Sequence, residues 1–297
     1  MRVVSLLPAA TEIVAALGDL RLLVGVSHEC DFPPEVRKLP RVTTTPVDVD
    51  APSAMIDAEV SRLQRSGKPV IGVDGEQLRS LAPDLIITQD LCEVCAVSDG
   101  EVHRLAAALS PAPTVLSLRA RDLAGIWSDI RSVGAALDAE DEAEELVLGL
   151  KTRLRRLRSS SQGRTQGVLC VEWLEPLYLA GHWVPELVEA AGGKDLGAVA
   201  GSHSARREWQ EIRSLGADLI IIMLCGFGVD RARAELERMT NPEAQDLMRT
   251  LPVWILDGNA YTSRPGPRVV DGALRIHSAL AGEAAPGLQE WLPAGVC

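Results

Sequence analysis

Two thiols three residues apart, Cys92 and Cys95, follow an apolar run at 85–88. A Cys-x-x-Cys pair can grip Zn²⁺ or an iron–sulfur iron, or cycle as a redox couple. No second such pair exists, so further donors must come from other loops: His28, Cys30, His182, His203 and Cys225. One expectation is a metal set drawn from Cys92, Cys95, Cys225, His28 and His182, with Zn or Fe as the ion. The other is two small loop residues packed at a strand end.

A second group of residues suits an organic ligand. Of the ten aromatic residues, Phe32, Trp173, Tyr178, Trp183, Trp209, Phe227 and Tyr261 lie in or near segments that follow apolar runs. Such rings offer large, rigid apolar area with polar handles, which fits a bulky, flat ligand. His28, Glu29 and Asp90 add polar groups in two of these loops. Arg264-Pro-Gly-Pro-Arg268 is a stiff corner whose guanidinium groups suit a carboxylate, amide or phosphate oxygen. Packing and helix entry are the competing uses of these residues.

The elements that must position them alternate. Continuous apolar runs at 2–7, 22–26, 69–73, 85–88, 114–118, 168–173, 219–224 and 253–256 read as parallel strands buried on both faces. Helical patterns at 9–17, 54–65, 101–109, 185–191, 229–238 and 268–280 lie between them. This is the rhythm of a parallel α/β protein. From about 121 to 161 the strand signal stops. A helix at 122–137 is followed by another at 142–158, acidic at its start and basic at its end, as the helix dipole favours. The expected organisation is an α/β lobe over 1–118, a linking helix over 119–162 and a second α/β lobe over 163–297. Open α/β sheets bind ligands beyond the carboxyl ends of their strands, where the odd residues sit.

Composition narrows the partners. A formal net charge of −11 disfavours nucleic acid and anionic membrane surfaces. The opening apolar run is broken by Pro8, shorter than the ~7–15 residues of a secretory core. No run reaches the ~18 residues needed to span a bilayer. A cytoplasmic protein with reduced thiols is expected. No dinucleotide-binding glycine motif, Walker A sequence or Gly-x-Ser-x-Gly elbow occurs, so binding is favoured over catalysis.

Several segments resemble a known family. Val4-Ser-Leu-Leu-Pro-Ala-Ala-Thr-Glu-Ile-Val-Ala-Ala-Leu-Gly18, Val24-Gly-Val-Ser27 and Phe32-Pro-Pro34 are similar to the opening of cluster-III periplasmic binding proteins for vitamin B12, ferric siderophores and haem. Leu78-Arg-Ser-Leu-Ala-Pro-Asp-Leu-Ile-Ile87, Leu187-Val-Glu-Ala-Ala-Gly-Gly193 and Ala217-Asp-Leu-Ile-Ile221 continue the likeness over nearly the whole chain. The resemblance implies two three-layer α/β lobes with mainly parallel sheets, a long rigid backbone helix and a ligand cleft between the lobes. It implies cobalamin or a related corrinoid, or another large metal chelate, as the ligand. Loops 27–34 and 89–96 would form one wall, and Trp173, Tyr178, Trp209, Tyr261 and Arg264 the other. The cysteine loops resemble a cytosolic, cobalamin-binding-like branch. Exported relatives dock an ABC transporter through one acid on each lobe, near Glu101 and Glu211 here, and such docking is not expected without export. A metal- or cluster-binding redox protein and an enzyme acting on a bulky cofactor remain as alternatives.

Overall fold

A computed structural model describes residues 1–90, 97–161 and 165–292. The chain divides into two compact units: Met1–Ala51 with Met55–Gly149, and Pro52–Ala54 with Leu150 onward.

In the first unit the apolar runs become the strands β1 (Val3–Ser5) and β2 (Leu23–Val26), separated by the helix α1 (Pro8–Ala16). Pro8 opens α1, where its missing N–H costs nothing. A short antiparallel pair, β3 (Thr43–Thr44) and β4 (Gly72–Val73), brackets α2 (Ser53–Arg65). Next come α3 (Gly75–Leu81), β5 (Leu85–Gln89), α4 (Asp99–Ala107) and β6 (Thr114–Leu118). Asp74 caps α3 by accepting from the N–H groups of Glu76 and Gln77. The sheet runs β2-β1-β5-β6 and every pairing is parallel. Val4, Leu6, Val42, Leu78, Ile86 and Val102 are among its buried core residues. α5 (Leu123–Ala136) and α6 (Glu140–Ser160) follow, and the division between the units falls inside α6. Acids fill the first turn of α6 and Arg158 its last, as the dipole argument requires.

The second unit begins with β7 (Gln166–Trp173), β8 (Tyr178–Leu179), α7 (Val184–Ala190), β9 (Gly193–Asp195), β10 (Ala205–Arg206) and α8 (Trp209–Arg213). Then follow β11 (Leu219–Ile222), α9 (Val229–Arg238), α10 (Pro242–Thr250), β12 (Val253–Leu256), α11 (Gly258–Tyr261), α12 (Val269–Ala281) and β13 (Leu288–Trp291). The parallel core is β9-β7-β11-β12, with β8, β10 and β13 added antiparallel at the margins. The fold is therefore α/β with mainly parallel sheets.

Elements without a sequence signal are short. β8 and β10 have two residues each, too few to show a period. β13 is an edge strand whose Gln289 and Glu290 are exposed, so its pattern reads as loop. Among the described residues no helix is long and apolar enough to cross a membrane.

Candidate functional site

Each parallel core repeats one connectivity. The first strand takes its neighbour on one side, then the chain crosses it to add two strands on the other: β2-β1-β5-β6 and β9-β7-β11-β12. The direction reverses beside β1 and again beside β7. Loops leaving the carboxyl ends of the strands flank these switch points, where open α/β sheets receive ligands.

In the first unit the loop after β2 is pinned from several directions. Arg41 Nη1 donates to the carbonyls of Ser27 and Cys30, both at 2.8 Å. Thr43 Oγ1 donates to Ser27 Oγ at 3.1 Å and accepts from the His28 backbone N–H at 2.9 Å. The His28 ring lies against the same hydroxyl, Nδ1 to Oγ1 2.7 Å. Burial, and then the Arg41 charge, lower the His28 pKa below its ordinary 6.5, which favours neutral imidazole. Glu29 and Phe32 are exposed, Phe32 to 42%. Cys30 is buried with its sulfur 3.1 Å from Thr11 Oγ1, so this thiol belongs to the interior.

Two loops on the same edge are coupled through Arg119. Its guanidinium meets Asp90 at 3.2 Å, an exposed pair of small energetic value. Its backbone N–H, with that of Ala120, is held by the buried Asp129 carboxylate at 2.9–3.2 Å. Cys92 and Cys95, with the rest of 91–96, lie outside the described residues.

In the second unit Trp173 ends β7 and Phe227 follows β11, so the two stand on either side of the switch point. Their rings meet edge to face with centroids 5.4 Å apart. The Arg231 guanidinium lies 3.6 Å from the Phe227 ring centroid. The loops after β11 and β12 are tied together. Gly226 N–H donates to Ser263 Oγ at 3.2 Å, and Asn259 N–H to the Phe227 carbonyl at 3.2 Å. Tyr261 has Arg275 at 3.8 Å and Arg268 at 5.9 Å from its ring centroid. Arg264 is buried and its Nη2 donates to Asn259 Oδ1 at 2.7 Å. Trp173, Tyr178, Tyr261 and Cys225 are partly exposed on this unit.

Three of the aromatics expected among the ligand-binding residues are buried. Trp183 is 5% exposed, and its indole N–H donates to the Thr262 carbonyl at 2.9 Å. Trp209 opens α8 and is also 5% exposed, and Phe227 is 3% exposed. They brace the loops, because a loop ring that can shed water does so where a pocket of side chains is available. His182 and His203 meet edge to face at 5.2 Å between centroids. Glu211 is spent on the capping box of α8 with Glu208.

The expected metal set includes Cys92 and Cys95, which lie outside the described residues. Among the described residues no three His, Cys, Asp or Glu side chains come together as a closed protein site for an ion would require. Thr43, Arg41, Asp129 and Arg275 carried no sequence signal. Arg231 carried a faint one, four residues beyond Phe227 at the start of a helix.

The sequence profile described as "Periplasmic binding protein" matches residues 3–255. The uncharacterized ABC transporter substrate-binding lipoprotein YvrC of Bacillus subtilis (strain 168) is 26% identical over 162 residues, 54% of this chain and 42% of that protein. A vitamin B12-binding protein of Pectobacterium carotovorum subsp. carotovorum (strain PC1) is 26% identical over 171 residues, 57% of this chain and 50% of that protein. The chain thus spans about half the length of the curated relatives it matches. A periplasmic heme-binding protein from Pseudomonas aeruginosa shares the fold, with a TM-score of 0.74, 23% identity and 98% of each chain covered.

Proposed function

The chain belongs to the periplasmic binding protein family, and from that premise we propose that it holds a large, flat metal chelate, a corrinoid or a haem-like tetrapyrrole, without covalent chemistry. The observation that carries this reading is the Trp173–Phe227–Arg231 stack at the switch point of the second sheet. A partly exposed indole, fixed by a buried ring and a cation behind it, is a preorganised surface for a conjugated macrocycle. The relatives named for vitamin B12 and for heme both fit that ligand class. Likeness to a substrate-binding lipoprotein makes an ABC transporter the natural class of recipient.

The reading is tested by titrating the purified protein with hydroxocobalamin, haemin and a ferric hydroxamate while following tryptophan fluorescence. Saturable quenching by a macrocycle and none by the hydroxamate is expected. Quenching by the hydroxamate alone, or by none of the three, contradicts it.

A further inference from the structure

Two histidines of the second unit meet where two loops are fastened backbone to backbone. His182, in the loop after β8, donates its N–H to the Ser202 carbonyl at 2.6 Å and accepts from the Gly201 N–H at 2.9 Å. Gly181 donates to Ser204 Oγ at 3.3 Å, and a Cβ there would lie 2.5 Å from the Ser202 oxygen, so this approach requires glycine. The fastening holds His182 at φ +53, in the left-handed region that few residues other than glycine adopt. Such a conformation persists where its surroundings over-determine it, and it gathers at functional sites. Here the His182 and His203 rings stand 5.2 Å apart between centroids, with planes inclined at 84°. His203 is exposed and His182 half-buried, so the pair is open to solvent.

We propose that His182 and His203 together bind one bare divalent cation of the Zn(II)/Cu(II) class, independently of any chelate. An ion about 2.0–2.1 Å from one nitrogen of each ring lies roughly 3.2 Å from each ring centre, and a tetrahedral angle then sets the two centres about 5 Å apart. The observed separation meets that requirement without movement of either loop. Nδ1 of His182 is buried, which leaves Nε2 to meet the ion. Imidazole suits Zn(II) and Cu(II), whereas Mg(II) and Ca(II) take oxygen donors. Among the described residues no third His, Cys, Asp or Glu joins the pair, so the ion keeps water in its remaining positions. The step is ligand exchange: each imidazole lone pair forms a bond to the hydrated ion, and one water leaves with its electron pair. No electron is transferred. The bound ion ties the loop of His182 to the loop of His203 through their side chains as well as their backbones.

The probe is Zn(II), added to the full chain after removal of metal with a chelator and read through the ring nitrogen resonances of the five histidines. One equivalent should shift the signals of His182 and His203 together, and Mg(II) should shift neither. His182→Asn, which keeps a residue tolerant of the left-handed backbone, and His203→Gln should each lower Zn(II) affinity by at least roughly 10–100-fold, and lower pH should release the ion because the ligating imidazoles must be neutral. His103 stands beside Asp99 on α4 as a rival pair, and His103→Gln should leave the shifts of His182 and His203 unchanged. Should the asparagine variant not fold, His203→Gln alters an exposed residue and carries the same test. Zn(II) that shifts neither ring, or only one, overturns the site and leaves the pair as an edge-to-face packing contact. A folded His203→Gln protein with wild-type affinity for Zn(II) overturns it equally.

Discussion

The indole of Trp173 stands edge-on to the ring of Phe227, with planes inclined at 71°. One ring closes β7 and the other follows β11, so the contact bridges the place where strand order reverses. Phe227 is nearly fully buried, and truncating such a ring removes both its transfer energy and the packing around it. Phe227→Ala should destabilise the protein by about 3–5 kcal/mol in urea unfolding, and Phe227→Leu by much less. A loss below about 1 kcal/mol for the alanine variant would show that the ring is not a support.

The indole N–H of Trp173 is buried and has no hydrogen-bond partner among the described residues. A buried donor without a bond costs its desolvation, about 1–3 kcal/mol, so its removal offsets the packing lost with the smaller ring. Trp173→Phe should therefore unfold within about 1 kcal/mol of the wild type. A markedly larger loss in chemical denaturation would assign the N–H a structural bond.

Gly287 makes room for Tyr261. Its backbone sits at φ +75, and an added Cβ would lie 2.6 Å from Tyr261 Cε2. Gly287→Ala combines left-handed strain with displacement of a ring that Arg275 covers. A loss of about 1–3 kcal/mol is expected from thermal and urea melts. An unchanged melting temperature would mean that the ring moves aside freely.

Two buried carboxyls set a pH dependence of stability. Asp129 and Asp195 are each raised above the ordinary 3.8 by burial, partly offset by backbone N–H donors. A raised folded-state value means that the folded protein binds more protons once pH exceeds the unfolded value. Their contribution is complete below about 3.8 and is lost as pH rises through the folded value. Urea midpoints of the wild type and Asp195→Asn, compared from about pH 4 to pH 7, should show the wild type losing ground to the variant as pH rises. A difference constant with pH would contradict the linkage.

The cysteines should differ in reactivity. Cys30 and Cys170 are each 1% exposed. Burial, and then the Asp195 charge, push the Cys170 thiol well above its usual 9.0. Cys225 is partly exposed. Among these three, iodoacetamide near pH 8 should modify Cys225 in the folded protein, and Cys30 and Cys170 only after unfolding. Labelling of native Cys170, mapped by mass spectrometry, would contradict this.

The parallel core was legible because its strands are continuous apolar runs, such as Leu219–Ile222 and Val253–Leu256. Two-residue strands such as Tyr178–Leu179 leave no such trace. The loops were legible as places where chemistry gathers, but not the direction of their side chains. Trp173 and Trp183 lie ten residues apart in one segment, yet the first is partly exposed and the second is buried and bonded to Thr262. The His28–Thr43–Ser27 relay depends on β3 returning beside the loop after β2, fifteen residues on, which no local pattern encodes.

The central claim, that this chain carries a flat metal chelate, is tested most directly by gel filtration of the purified protein mixed with haemin or hydroxocobalamin. The account predicts that the chelate's visible absorbance travels with the protein peak, near one chelate per chain, and is retained on a second passage. Colourless protein, with both chelates eluting later as free small molecules, would contradict it.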